Sequence, residues 1–179
     1  MTLNDISRKL FKNSRNQYGL FFFSVVFSIA MTGAYGVLQY SPTVTNVLVD
    51  GGSTQTISQA MFFGSMLGII VFLVYADSIF LKYKSREIGI FLSLGIDRRS
   101  VQKIVVKEYT LLFQFAVLVG LLLSVPLAYL CWSLLNLFLE TQETAFSIGW
   151  VGLIIAVLFS LLNWFILRTI NRRYIKNVD

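Results

Sequence analysis

Four runs of about twenty apolar residues constrain this chain more than any other feature. A helix rises about 1.5 Å per residue, so roughly 20 apolar residues cross a hydrocarbon core of about 30 Å. Runs of that length fall at 18–38, 59–81, 109–133 and 148–167. Of the 179 residues, 56% are hydrophobic and the mean hydropathy is +0.71, against about 45–50% apolar residues in soluble domains. The fold class is therefore an all-α membrane protein with four transmembrane helices. The third run stays apolar as far as Leu139, longer than the hydrocarbon core needs. That helix must tilt, kink at Pro126 or project beyond the lipid. A cleavable signal is the rival reading of the first run. The run exceeds the usual apolar region of about 7–15 residues and lacks a small-residue cleavage site, so it reads as a retained helix.

Charge then sets the sidedness. Arg8, Lys9, Lys12 and Arg15 precede the first run, and Arg168, Arg172, Arg173 and Lys176 close the chain. Lys82, Lys84, Arg86, Arg98, Arg99, Lys103 and Lys107 lie between the second and third runs, which accounts for all fifteen Lys and Arg. Segments 39–57 and 134–147 have none. The positive-inside rule puts both termini and the middle segment in the cytoplasm of a multi-pass cell-membrane protein. Segment 39–57 is too short for an independent domain. Residues 1–17 carry Leu3, Ile6, Leu10 and Phe11 at helical spacing, which suits an amphipathic helix on the membrane surface; a plain basic flank is the alternative. Residues 18–179 then form the four-helix domain.

The stretch Lys82 to Glu108 holds an apolar block, Ile88 to Leu94, closed by Gly95. Apolar residues in a basic segment need cover from the membrane surface, the bundle or a partner. Ile88, Phe91 and Leu92 share one helical face, with Arg86, Glu87 and Ser93 as a polar rim. Gly89 permits close approach, Gly95 suits a helix stop, and Asp97 or Ser100 suits the next helix cap.

Association in lipid depends on close packing, so small residues four apart are informative. They are Ser24, Ser28, Thr32 and Gly36 in the first run and Gly64 and Gly68 in the second. The third has Gly120, Ser124 and Ala128, and the fourth Gly152, Ala156 and Ser160. Asp77 and Glu108 flank the basic stretch. An acid inside a span is costly and usually paired; Asp77 reads as an interfacial acid near Lys82, or as a gating group. Asn136 and Asn163 suit hydrogen bonds between helices.

No His occurs, which excludes His-based zinc sites and triads. No nucleophile with a base, phosphate-binding Gly loop or metal-ligand cluster is evident, so an enzyme is not expected. Cys131 has no second Cys for an internal disulfide. The net charge of +6 is explained by topology and does not call for nucleic acid.

Arg86-Glu87-Ile88-Gly89, then Leu94-Gly95, then Glu108 at the following helix resembles the pattern of the FtsX-like permease family of ABC transporters with the MacB-type fold. The likeness spans about 27 residues in the expected place and agrees with the four-helix topology. Leu38 to Pro42 and Tyr75 to Phe80 are similar to the N-terminal part of bacitracin-export-type permeases of Gram-positive bacteria. The resemblance implies a permease subunit that couples ATP hydrolysis to antimicrobial-peptide resistance or export. It implies a cytoplasmic coupling helix between the second and third spans, with Arg86, Glu87, Ile88, Gly89, Phe91, Leu92, Leu94 and Gly95 docking on an ABC ATPase subunit. ATP and Mg would sit on that subunit, with no cofactor on this chain. A second permease unit, as a homodimer or a larger permease, and a histidine kinase sensor are further implied partners. MacB-type relatives carry a large external domain after the first helix, whereas segment 39–57 is short. The bacitracin subgroup continues beyond one four-helix unit, so this sequence reads as a half-size permease or a fragment. The competing reading is a small non-transport membrane protein, such as a bacteriocin immunity protein or membrane sensor. It needs no ATPase and leaves the apolar block unexplained.

Overall fold

The computed structural model describes residues 15–42, 52–93, 95, 97–139 and 146–176. The expected amphipathic segment before Arg15 and the apolar residue Leu94 lie outside the described residues. The described residues form four helices: α1 (Arg15–Gln39), α2 (Gly52–Ser93), α3 (Arg98–Leu139) and α4 (Trp150–Lys176). All four are long and apolar enough to cross a membrane.

The middle two differ from the sequence expectation. Each has 42 residues, about 63 Å at the helical rise and roughly twice the hydrocarbon thickness. No separate coupling helix breaks from the second span. Residues 82–93 continue α2, and residues 98–108 already belong to α3. Lys and Arg are good helix formers, so leaving the apolar run gives the backbone no reason to stop. The break comes at Gly95, whose φ of +79° is a left-handed conformation that favours glycine. Asp97 starts α3, its carbonyl accepting from Ser100 N at 3.0 Å and Val101 N at 3.1 Å. α3 also runs on through Pro126.

α1 is the hub. Buried residues make up 61% of its span window against 17% for α2, and its most extensive contact is with α3. Val25, Ile29 and Val37 are fully buried along it. Two close approaches explain this position. A Cβ on Gly33 would lie 2.6 Å from the Ser124 Cβ and 3.7 Å from the Ala156 Cβ. A Cβ on Gly36 would lie 3.1 Å from the Gly152 carbonyl oxygen, so α1 and α4 cross backbone to backbone. Gly120 meets Val26 and Ile29 in the same way. Of the small residues expected on α3 and α4, Gly120, Ser124, Ala128, Gly152 and Ala156 therefore face α1.

Gly64 and Gly68 do not follow this pattern: nothing described comes within 4 Å of a Cβ there. α2 turns the other face to the bundle, with Phe62, Leu73, Asp77, Phe80, Leu81, Lys84, Ile88 and Phe91 buried at helical spacing. The bulkier side chains fill the contact and the glycines face out. At one end of the bundle, Ser41 and Ser147 hydroxyls lie 2.7 Å apart, and Ser58 donates to Gln39 Oε1 at 2.6 Å. At the basic end an aromatic block closes the core: Phe21 stacks on Phe80 at 4.9 Å and lies 5.4 Å from Tyr109. Tyr18 meets Phe80 edge-on at 5.3 Å. Such pairs contribute about 0.5–1.5 kcal/mol each beyond area burial.

Candidate coupling hairpin and its ion network

The end of α2 and the start of α3 fold back on each other as a basic helical hairpin. Its interior is a small apolar core of Ile88, Phe91, Val101 and Val105, with Leu92 and Val106 packed against it. The apolar face expected to meet a partner is thus covered from within the chain. Phe91 is 5% exposed and Ile88 is 2% exposed. The reason is that α3 begins earlier than its apolar run and supplies two valines one turn apart opposite that face. Arg86, Gly89, Ile90, Ser93 and Gly95 are exposed instead, as are Lys103 and Lys107 on α3.

An ion network fastens this hairpin to the bundle. The Lys84 ammonium is buried and donates to Glu87 Oε2 at 2.7 Å and to Glu108 Oε2 at 2.9 Å. It also donates to the Tyr18 hydroxyl, and lies 4.9 Å from the centre of that ring. Tyr18 donates in turn to Glu108 Oε2 at 3.4 Å. Three donors of one ammonium therefore reach three partners on three helices, α1, α2 and α3. Lys84–Glu87 is a local pair three residues apart; the links to Glu108 and Tyr18 exist only because the helices pack. Glu87 faces inward to this network and is not part of an outer rim.

Asp77 lies two turns deeper along α2 and is fully buried. It is not paired with Lys82, which is exposed. Its Oδ1 accepts from Asn171 Nδ2 of α4 at 3.4 Å. Asn163 donates to the Phe159 carbonyl of its own helix at 2.9 Å and does not bridge helices in that bond. Sequence reasoning passed over Tyr18, Tyr109, Asn171 and Gly33. Tyr18 opens the first apolar run and Asn171 lies among the basic residues near the end of the chain, and neither signals its distant partner.

A bundle of four apolar helices, with two running on into one basic hairpin, has the build of a polytopic membrane permease unit. The chain belongs to the FtsX-like permease family: the FtsX-like permease C-terminal domain matches residues 59–178. It is similar to the bacitracin export permease protein BceB of Bacillus subtilis (strain 168), 32% identical over 121 residues, which are 67% of this chain and 18% of that protein. BceB of Halalkalibacterium halodurans is also 32% identical, over 118 residues covering 63% of this chain and 17% of the relative. An uncharacterized ABC transporter permease of Bacillus subtilis, YvcS, is 25% identical over 122 residues, 68% of this chain and 19% of its own length. The chain spans under a fifth of the length of these curated relatives.

Proposed function

We propose that this chain is the transmembrane permease unit of an ABC transporter, working with an ATPase subunit in antimicrobial-peptide resistance or export. The family and the names of its relatives support that reading over an immunity protein or sensor. One observation carries the mechanism. α2 and α3 pass without a break from the bundle into the hairpin, and Lys84 ties that hairpin to α1. A displacement of the hairpin is therefore passed to three helices together rather than absorbed by a loop.

The charge distribution supports an orientation with the hairpin and both termini in the cytoplasm. The docking surface we assign to the ATPase is the exposed side of the hairpin, with Ile90 (44% exposed) as its apolar anchor beside Arg86, Gly89 and Ser93. Ile88, Phe91 and Leu92 act from inside by keeping the hairpin rigid. ATP and Mg belong to the partner subunit. The outer face of α2, with Gly64 and Gly68, suits a second permease unit, either another copy or a larger permease. A histidine kinase sensor is a further proposed partner.

The test is capture of the native complex from membranes with peptide identification, followed by Ile90→Asp. An ATPase subunit is expected with the native chain and is lost with the variant, while the purified variant stays monodisperse. A native complex without any ATPase, or full ATPase capture by Ile90→Asp, counts against the reading.

A further inference from the structure

Where α2, α3 and α4 meet near the basic end, three polar side chains converge in the bundle interior. Asp77, Tyr109 and Asn171 are 0%, 3% and 3% exposed. Apart from the Asn171 Nδ2 contact to Asp77 Oδ1 at 3.4 Å, their polar atoms are unmatched. Asp77 Oδ2, Asn171 Oδ1 and the Tyr109 hydroxyl have no hydrogen-bond partner among the described residues. The Tyr109 hydroxyl is a near neighbour of both Asp77 and Asn171 but makes no close hydrogen bond to either. The hairpin and its ion network use none of these atoms.

Among the described residues no cation pairs with Asp77. Lys84, on the same helix, is seven residues away, about 10 Å along the axis, and is engaged with Glu87, Glu108 and Tyr18. From α4, Arg168 holds its guanidinium 4.8 Å over the Trp164 ring and forms no ion pair with Asp77 among the described residues. α3 presents Tyr109. α1 presents Phe21 and Tyr18 to this part of the core, and the Tyr18 hydroxyl is turned to Lys84. A buried carboxylate without a positive partner is strongly destabilising, and such groups inside membrane helices normally have a partner.

We propose that Asp77, Asn171 and Tyr109 form a binding site for a single positive charge, a proton or an alkali cation, held inside the bundle. Carboxylate, amide carbonyl and phenol are three oxygen ligands, the type that hard cations take. A proton on Asp77 Oδ2 turns that atom into a donor for a neighbouring oxygen. An alkali ion takes the same oxygens as ligands. In both cases the unmatched atoms gain partners and the charge of the cluster becomes zero. The site joins α4 to α2 and α3, so its occupancy bears on how closely α4 packs there. It is independent of ATPase docking.

The test uses the purified full chain in lipid nanodiscs. Infrared spectra of the native chain and Asp77→Asn are compared for the carbonyl band of a protonated carboxylic acid. Equilibrium binding of radioactive sodium and rubidium is measured on the same samples. A buried acid band lost in Asp77→Asn identifies the proton. Saturable alkali binding of one ion per chain, lost in Asp77→Asn, identifies the cation. Should that variant misfold, Tyr109→Phe and Asn171→Leu keep the carboxyl and remove one oxygen each; a shifted acid band or a loss of ion binding is then expected. A native chain with neither an acid band nor saturable alkali binding overturns the proposal. Neither readout depends on an ATPase, so failure here and failure of the transporter reading are separable.

Discussion

Replacing Phe91 by Ala tests what holds the hairpin together. Phe91 is 5% exposed and packs with Ile88, Val101 and Val105. Phe→Ala in a packed core costs about 3–5 kcal/mol, from lost burial and from the cavity left behind. The hairpin core has four buried side chains at the end of two long helices, so its walls can close in part, and the low end, about 3 kcal/mol, applies. At about 1.4 kcal/mol per factor of ten, that is roughly a 100-fold rise in the open fraction of the hairpin. The effect is local, because the spans do not use this residue. The assay is amide hydrogen exchange on the detergent-solubilised chain. Protection across 88–93 and 101–106 is expected to fall by roughly 100-fold, with α1 and α4 unchanged. Unchanged hairpin protection together with lost ATPase affinity would refute the internal-core argument, because it would mean that the ring faces a partner.

Lys84→Met leaves Glu87 and Glu108 without their shared cation. A double-mutant cycle with Glu108→Gln, read by thermal unfolding in nanodiscs, is expected to give a coupling of about 1–2 kcal/mol; a coupling near zero contradicts a working network. Gly152→Ala drives a methyl into the Gly36 backbone and is expected to destabilise by about 1–3 kcal/mol. Gly68→Ala, with open space around it, is expected to be neutral or stabilising by under about 1 kcal/mol. Equal effects of the two would remove the special role of the α1–α4 crossing. For sidedness, a cysteine at Ser53 or Gln142 in the otherwise Cys131→Ser chain is expected to react with an impermeant label from outside intact cells, and one at Arg99 is not. Labelling at Arg99 would invert the topology.

The sequence alone determined the membrane class, the four spans, the sites of basic charge and the helix stop at Gly95. These are properties of single segments: apolar length measured against bilayer thickness, and a backbone conformation that favours glycine. It also marked the apolar block at Ile88 to Leu94 as buried, but its periodicity cannot say against what. Only the tertiary structure decided that Phe91 meets Val101 and Val105, because α2 and α3 outrun their apolar segments and pair along the excess. Packing likewise chose Gly36 and Gly152 for close contact and left Gly64 and Gly68 open, although all four carry the same local signal. Tyr18 lies 66 residues from Lys84, and Asp77 lies 94 from Asn171. Contacts across such distances depend on which helix faces turn toward each other, and no single segment specifies that choice.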